Sequence, residues 1–248
     1  MTEEYSFTSI HLIPDRYDGI TIDTQTIPDD IHEFEKELKS IIEKIENKKL
    51  LWIKLPIEKS PLIPLLTQHS FVFHHCNEKD IMMLKKLIEN PIVPTAINHT
   101  LGVGVVVMRE NKLLVIKDKI WQKYKLPGGY IDDRESISKA VQREVFEETG
   151  VKVELTSVVS LGHTSPSQFE QSNLYVVCSA KALSHEINII DSDEIIDAKW
   201  MDIDDYFNDE EIHIYNKNLV KNAMRDRGLK RETRNYFTSV DREYEYYF

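Results

Sequence analysis

Cysteine is scarce: the 248-residue chain has two, Cys76 and Cys178, far apart and in no CxxC or zinc-ligand spacing. That excludes a disulfide scaffold, and both thiols are expected to be reduced and buried, as in a cytoplasmic protein. Long apolar runs are missing too. No stretch approaches the roughly 18 consecutive apolar residues that span a bilayer. No apolar segment follows the acidic, polar residues 1–5, so neither a membrane partner nor a secretory signal is expected. Positive charge is in deficit, with 31 Lys and Arg against 42 Asp and Glu and a net charge of −11. Such a surface disfavours nucleic acid as a partner. The one basic cluster, residues 221–234, is interleaved with Asp226, Leu229 and Glu232 and reads as a solvated helix face. Polyanionic small molecules stay open, because a bound divalent cation inverts the local field. Internal repeats and low-complexity tracts are absent, and residues 1–90 hold no glycine-rich pyrophosphate loop.

What is present alternates between strand-like and helix-like segments, an α/β pattern. Residues 20–23 form a short β-branched run. Ile31, Phe34, Leu38, Ile41, Ile42 and Ile45 then recur at helical spacing over 29–46, with Asp29 or Asp30 as N-cap. A strand over 50–55, a helix over 62–68, a strand over 71–74 and a third helix over 80–88 follow. Two prolines within 91–94 make an extended connector, so a smaller domain over 1–95 and a larger one over 96–248 are expected. The larger domain opens with a hairpin of buried strands turning at Glu110, Asn111 and Lys112. Later strands are expected over 153–161, 174–182 and 198–203, and a helix over 218–225. His74 and His75 adjoin on a strand, where alternation points them to opposite faces and argues against a shared metal.

The chemistry gathers in one helix. Ser136 is a suitable N-cap and Gly150 a suitable C-terminal stop, with no proline or glycine between. At 100° per residue, Ile137, Val141 and Val145 make an apolar stripe. Solvating acids belong opposite such a stripe, yet Glu144, Glu147 and Glu148 share or border it, in an i, i+3, i+4 relation. Converging carboxylates repel and are costly to desolvate unless a cation neutralises them. Hard oxygen ligands with no neighbouring Cys or His favour magnesium, or manganese in its place.

The run from Gly129 to Val151 is identified as a Nudix box: glycine, five residues, Glu135, seven residues, then Arg143-Glu144-Val145-Phe146-Glu147-Glu148-Thr149-Gly150-Val151. All nine fixed positions match, with a chance on the order of one in a million at average residue usage. The resemblance implies an α/β/α sandwich with a mixed sheet and a hydrolase of nucleoside diphosphates linked to another moiety. It implies that Glu144, Glu147 and Glu148 hold metal, joined by the backbone carbonyl of Gly128. Arg143 orients a box carboxylate, Glu135 braces the loop, and Gly129 permits a tight approach. The general base is either a box glutamate or a later acid, here Asp191, Asp193 or Glu194. Trp121-Gln-Lys-Tyr-Lys125-Leu-Pro-Gly-Gly129 resembles the box entry of the subgroup that carries an N-terminal pre-Nudix domain. That subgroup comprises the antisense fibroblast growth factor 2 type proteins and plant ADP-ribose/NADH pyrophosphohydrolases. Residues 18–23, 51–56, 71–75 and 194–201 resemble it as well. The subgroup implies a pre-Nudix domain, a substrate such as ADP-ribose or NADH, and a homodimer, and the order of strands and helices in the first domain resembles half an acetyltransferase fold. Substrate contacts are expected from Lys125, Gly129, His163 and Phe169, the last either stacking on a base or packing. Coenzyme A, dinucleoside polyphosphates, capped RNA or a purely regulatory nucleotide-sensing role are the alternatives.

Overall fold

A computed structural model describes residues 8–45, 47–225, 227–232 and 244–248. Expectations placed on residues 1–5, on Asp226 and Arg234, and on the tail before Tyr244 lie outside them. The chain divides into residues 1–97 and 98–248. Among the described residues, no helix is long and apolar enough to cross a membrane.

The first unit is a five-stranded mixed sheet with one long helix. Its strands are β1 (Leu12–Pro14), β2 (Gly19–Ile22), β3 (Leu50–Pro56), β4 (Val72–Cys76) and β5 (Asp80–Lys86), in the order β1-β2-β3-β5-β4. Helix α1 (Ile31–Lys44) starts where the Asp30 carboxylate accepts from the amides of His32 and Glu33, satisfying donors that the first turn leaves bare. Its Phe34, Leu38 and Ile41 are buried with Ile20, Ile22, Ile53 and Met83 on one sheet face. A short helix α2 (Ile63–Gln68) follows β3.

The expected helix over 80–88 is instead β5, and the reason is burial on two sides. Met83 joins the α1 core, while Leu84 packs with Leu50 and Trp52 on the opposite face, as central strand residues do. A short apolar run fits either period, and pairing with β3 and β4 decides it. The thiol expectation holds for buried Cys178 only, because Cys76 lies exposed on edge strand β4.

The second unit has β6 (His99–Arg109), β7 (Lys112–Asp118), β8 (Tyr124–Lys125), β9 (Val153–Thr164), β10 (Ser172–Ala182), β11 (Ile195–Asp202), β12 (Leu229–Glu232) and β13 (Tyr246–Tyr247). They run in the order β11-β7-β6-β10-β9-β12-β13, with β8 on β7. Strands β6 and β10 are parallel and their other pairings antiparallel, so the sheet is mixed. Helix α3 (Ile137–Thr149) covers one face through Ala140, Val141 and Val145. Helices α4 (Ile203–Asn208), which the sequence pattern did not signal, and α5 (Ile214–Met224) cover the other through Ile203, Tyr206, Leu219 and Val220. The result is an α/β/α sandwich.

Helix α3 ends as its sequence dictates. Gly150 takes φ 72° and its N–H donates to the Phe146 carbonyl at 2.7 Å. A Cβ there would sit 2.5 Å from the Asn188 backbone, so Gly150 serves both the left-handed stop and a close loop crossing. The start differs from expectation. Ser136 has the extended backbone of an N-cap but its hydroxyl makes no capping bond. The Glu245 carboxylate instead lies 3.3 Å from the Ser138 amide, so an acid distant in sequence takes the capping place.

Candidate active site

The segment before α3 runs antiparallel along β6. Val105 N–H donates to the Pro127 carbonyl (2.9 Å), Val103 to Gly129 (2.8 Å), and Ile131 to Leu101 (2.9 Å). The Gly128 carbonyl, between two that bond to β6, takes no part in that ladder. Gly128 has φ 142°, and a side chain there would run into the Val103 carbonyl. A Cβ on Gly129 would lie 2.7 Å from both Glu144 oxygens. Two adjacent glycines thus let backbone pass where carboxylates and strand leave no room.

Into this gap project Glu148 and Glu144. Glu148 is 5% exposed and accepts from the Gly128 N–H at 2.8 Å. Burial pushes its carboxyl up to about 8; the Gly128 hydrogen bond opposes this, and neighbouring Glu144 and Glu194 add to it. Glu144 is raised as well, chiefly by burial, against the pull of Arg143. Glu147 stands apart, its side chain 45% exposed.

Arg143 links these groups. Its Nε and Nη2 donate to both oxygens of Glu135 at 2.8 Å each, Nη1 to Glu144 (2.9 Å) and Glu147 (3.2 Å), and Nη2 also to the Tyr130 carbonyl (2.9 Å). The fork holds helix, loop and two box carboxylates at once. Glu135 is lowered, first by Arg143, and also accepts from the Asp132 amide at 3.0 Å. Arg143 is itself raised by Glu135.

The later acids divide by what they already bond. Asp191 is a turn residue: its amide donates to the Glu147 carbonyl (2.9 Å) and its carboxylate accepts from the Glu194 amide (3.2 Å). Asp193 and Glu194 are exposed, and Glu194 is near enough to Glu148 to raise it. Lys125 extends to Asp118 at 2.6 Å, and Asp118 is 1% exposed. Burial would raise Asp118, but Lys125 and the Trp121 amide outweigh it and leave the carboxyl lowered. His163, near the end of β9, has Nε2 3.0 Å from His99 Nε2, and His99 Nδ1 is 2.6 Å from the Asn98 side-chain oxygen. Phe169 is 86% exposed, so it does not pack.

Two features went unread in the sequence. One is Asp118, whose only signal was an acid at the end of an apolar strand. The other is Tyr175, whose ring lies against Gly102 and Gly104 of β6 and whose hydroxyl is raised by burial beside Tyr215, Glu148 and Glu144. Two glycines at alternate positions of a buried strand were the available clue.

A divalent cation fits these residues. Glu148 is a buried carboxylate held away from ionisation, with a second carboxylate and a glycine-lined gap beside it. Among the described residues, no three His, Cys, Asp or Glu side chains are gathered closely enough to hold a metal ion together. Glu144 and Glu148 lie at the gap, while Glu147 is turned to Arg143.

Comparison with known proteins agrees. The NUDIX domain pattern matches residues 98–223, and the Nudix hydrolase domain pattern matches residues 11–87. Nudix hydrolase 8 of Arabidopsis thaliana is 36% identical over 203 residues, 77% of this chain and 54% of that protein. Nudix hydrolase 2 of the same plant is 34% identical over 228 residues, 87% of this chain and 80% of that protein. Human nucleoside diphosphate-linked moiety X motif 6 is 33% identical over 204 residues, 77% of this chain and 64% of that protein. The chain thus spans between about half and four fifths of the length of these relatives. With Glu144 and Glu148 at the glycine gap, Arg143 linking Glu147 to Glu144, and both domain patterns in sequence, the chain belongs to the Nudix hydrolase family.

Proposed function

We propose that the protein is a magnesium-dependent pyrophosphohydrolase, with manganese able to substitute, that splits a nucleoside diphosphate derivative into a nucleoside monophosphate and a phosphorylated second moiety. The observation that carries this reading is Glu148: a carboxylate 5% exposed and raised to about 8. Its natural counter-charge is a cation shared with Glu144. Glu144, Glu147 and Glu148 would hold the metal, with the Gly128 carbonyl beside them. When bound, the metal activates water and neutralises charge on the diphosphate. Arg143, fixed by Glu135, sets the spacing of Glu144 and Glu147. Glu194, exposed and close to Glu148, takes the proton from the attacking water, whereas Asp191 is spent on its turn. Lys125, paired with Asp118 and near enough to Glu148 to lower it, lends positive charge to the diphosphate side of the site without leaving that pair. Gly129 leaves room for the phosphates, and His163 and Phe169 border the far end of the substrate.

The substrate we favour is ADP-ribose or NADH, supported by the residues around Trp121–Gly129 and by the pre-Nudix unit. That unit serves homodimerisation or specificity. The test is a panel of ADP-ribose, NADH, FAD, coenzyme A, nucleotide sugars and capped RNA, with magnesium or manganese and identification of products. The reading expects a nucleoside monophosphate from ADP-ribose or NADH, and a loss of turnover of about two orders of magnitude or more in Glu147→Gln at unchanged melting temperature. Full turnover in that variant overturns the metal assignment. A panel wholly inert with both metals overturns the enzyme reading in favour of a nucleotide sensor.

A further inference from the structure

Strand β4 breaks the alternation that its sequence predicts. The register with β5 slips between Phe73 and His75, a bulge on an edge strand. Because of it, His74 and His75 do not diverge: their Nδ1 atoms are 2.6 Å apart and their ring centroids 4.9 Å. Both line a cleft of about 330 Å³ within the first unit, together with Trp52, Met82 and Tyr17. Met82 pairs directly with His75 across the strands, which places the two side chains on the same sheet face. Trp52 meets His74 edge to face at 5.1 Å.

The outer contact of His74 fixes its chemistry. Its Nε2 lies 2.7 Å from the Pro94 carbonyl, which can only accept, so Nε2 carries the hydrogen. With the hydrogen on Nε2, the neutral tautomer turns its Nδ1 lone pair toward His75. An imidazole anchored through its far N–H on a backbone carbonyl, with the near nitrogen turned to a second imidazole, is the arrangement that surrounds metal-binding histidines. A separation of 2.6 Å is shorter than an ordinary N–H to N hydrogen bond. Two nitrogens on one three-coordinate ion at bond lengths of about 2.0–2.1 Å sit roughly 3.5 Å apart at a trigonal angle. His75 is exposed and free to turn by that amount.

We infer that His74, His75 and the thioether of Met82 form a binding site for a soft, low-coordinate cation, copper(I), separate from the box carboxylates. The donor set selects the ion. Two imidazoles and a thioether suit copper(I), whereas magnesium and manganese take oxygen ligands. Cys76 is not part of the site: it pairs with Ile81, which packs into the α1 core on the opposite sheet face.

The test is anaerobic titration of the full chain with copper(I) against a chromogenic copper(I) chelator, with magnesium present to occupy the carboxylate site. Wild type and Cys76→Ser should each bind one equivalent with equal affinity. His74→Gln with His75→Gln should weaken binding at least a hundredfold, and Met82→Leu about tenfold, at unchanged circular dichroism. Should the double variant misfold, His75→Gln alone, at an exposed position, must still weaken binding. X-ray absorption should show nitrogen and sulfur neighbours, with the sulfur lost in Met82→Leu. Unchanged affinity in the histidine variants, or binding that disappears in Cys76→Ser, overturns the inference.

Discussion

At Glu148 a folding cost and a functional demand meet on one carboxyl. Its folded-state value, about 8, lies above the 4.5 of an unconstrained glutamate, so folding takes up a proton. The sign follows: in metal-free protein this contribution is complete below about pH 4.5 and is lost as pH rises through about 8, on the order of a few kcal/mol. Chelator-treated protein should therefore melt at progressively lower temperature from about pH 5 to pH 8, and Glu148→Gln should flatten that slope. An equal slope in the variant would place the titration elsewhere. Magnesium binding near neutral pH should also release a proton, read by calorimetry in two buffers of different ionisation enthalpy. The positions of these glutamates on the helix wheel were legible beforehand. The division among them was not: Glu148 is buried, Glu144 lies against Gly129, and Glu147 is half exposed and tied to Arg143. Spacing places side chains on a face, whereas depth depends on what covers that face.

At the level of elements, the apolar stripe and the C-terminal stop of α3 were readable because local rules govern them, whereas its start was not, because the distant Glu245 takes the place of the Ser136 cap. Its C-terminal glycine does more than stop the helix. The amides of Ile190 and Asp191 donate to the Glu147 carbonyl, and the Asn188 amide to Thr149, so the loop bearing the later acids hangs from the end of α3. Gly150→Ala forces a side chain into φ 72° and onto the Asn188 backbone. It should cost about 1–3 kcal/mol and speed hydrogen exchange at Ile190 and Asp191 before the rest of the unit. Protection unchanged at those amides would show that the loop is held from elsewhere. Strand β5 and the β4 bulge are the opposite case. Ile81 to Leu84 fit a helix or a strand by pattern, and the bulge is set by pairing with a neighbour. Neither leaves a local signature, because strand partners are non-local.

Across the whole molecule, separate hydrophobic cores account for two units. In residues 1–97, α1 seals one face of a five-stranded sheet; in 98–248, helices cover both faces of a larger one. Phe34 is wholly buried at the centre of the first core. Phe34→Ala should cost about 3–5 kcal/mol, read as lost amide protection across β2 and β3. Protection retained there would mean that the first core collapses around the cavity. The net charge of −11 does not oppose a phosphate substrate once cations occupy the carboxylates, so hydrolysis should depend on divalent metal far more than on monovalent salt.

By itself the sequence determined the family, because the box joins carboxylates at helical spacing to a glycine turn that lets the chain approach them. Both are local and both are written in consecutive residues. It also determined the α/β character and the amphipathic helices, which follow from periodicity. Only the tertiary structure decided which glutamate is buried deeply enough to resist ionisation, and that Arg143 grips Glu135, Glu144 and Glu147 together. Tertiary pairing likewise sealed Lys125 onto Asp118 and turned two histidines toward one another. These depend on which distant segments share a face, and desolvation, pairing register and carboxylate depth are properties of that packing.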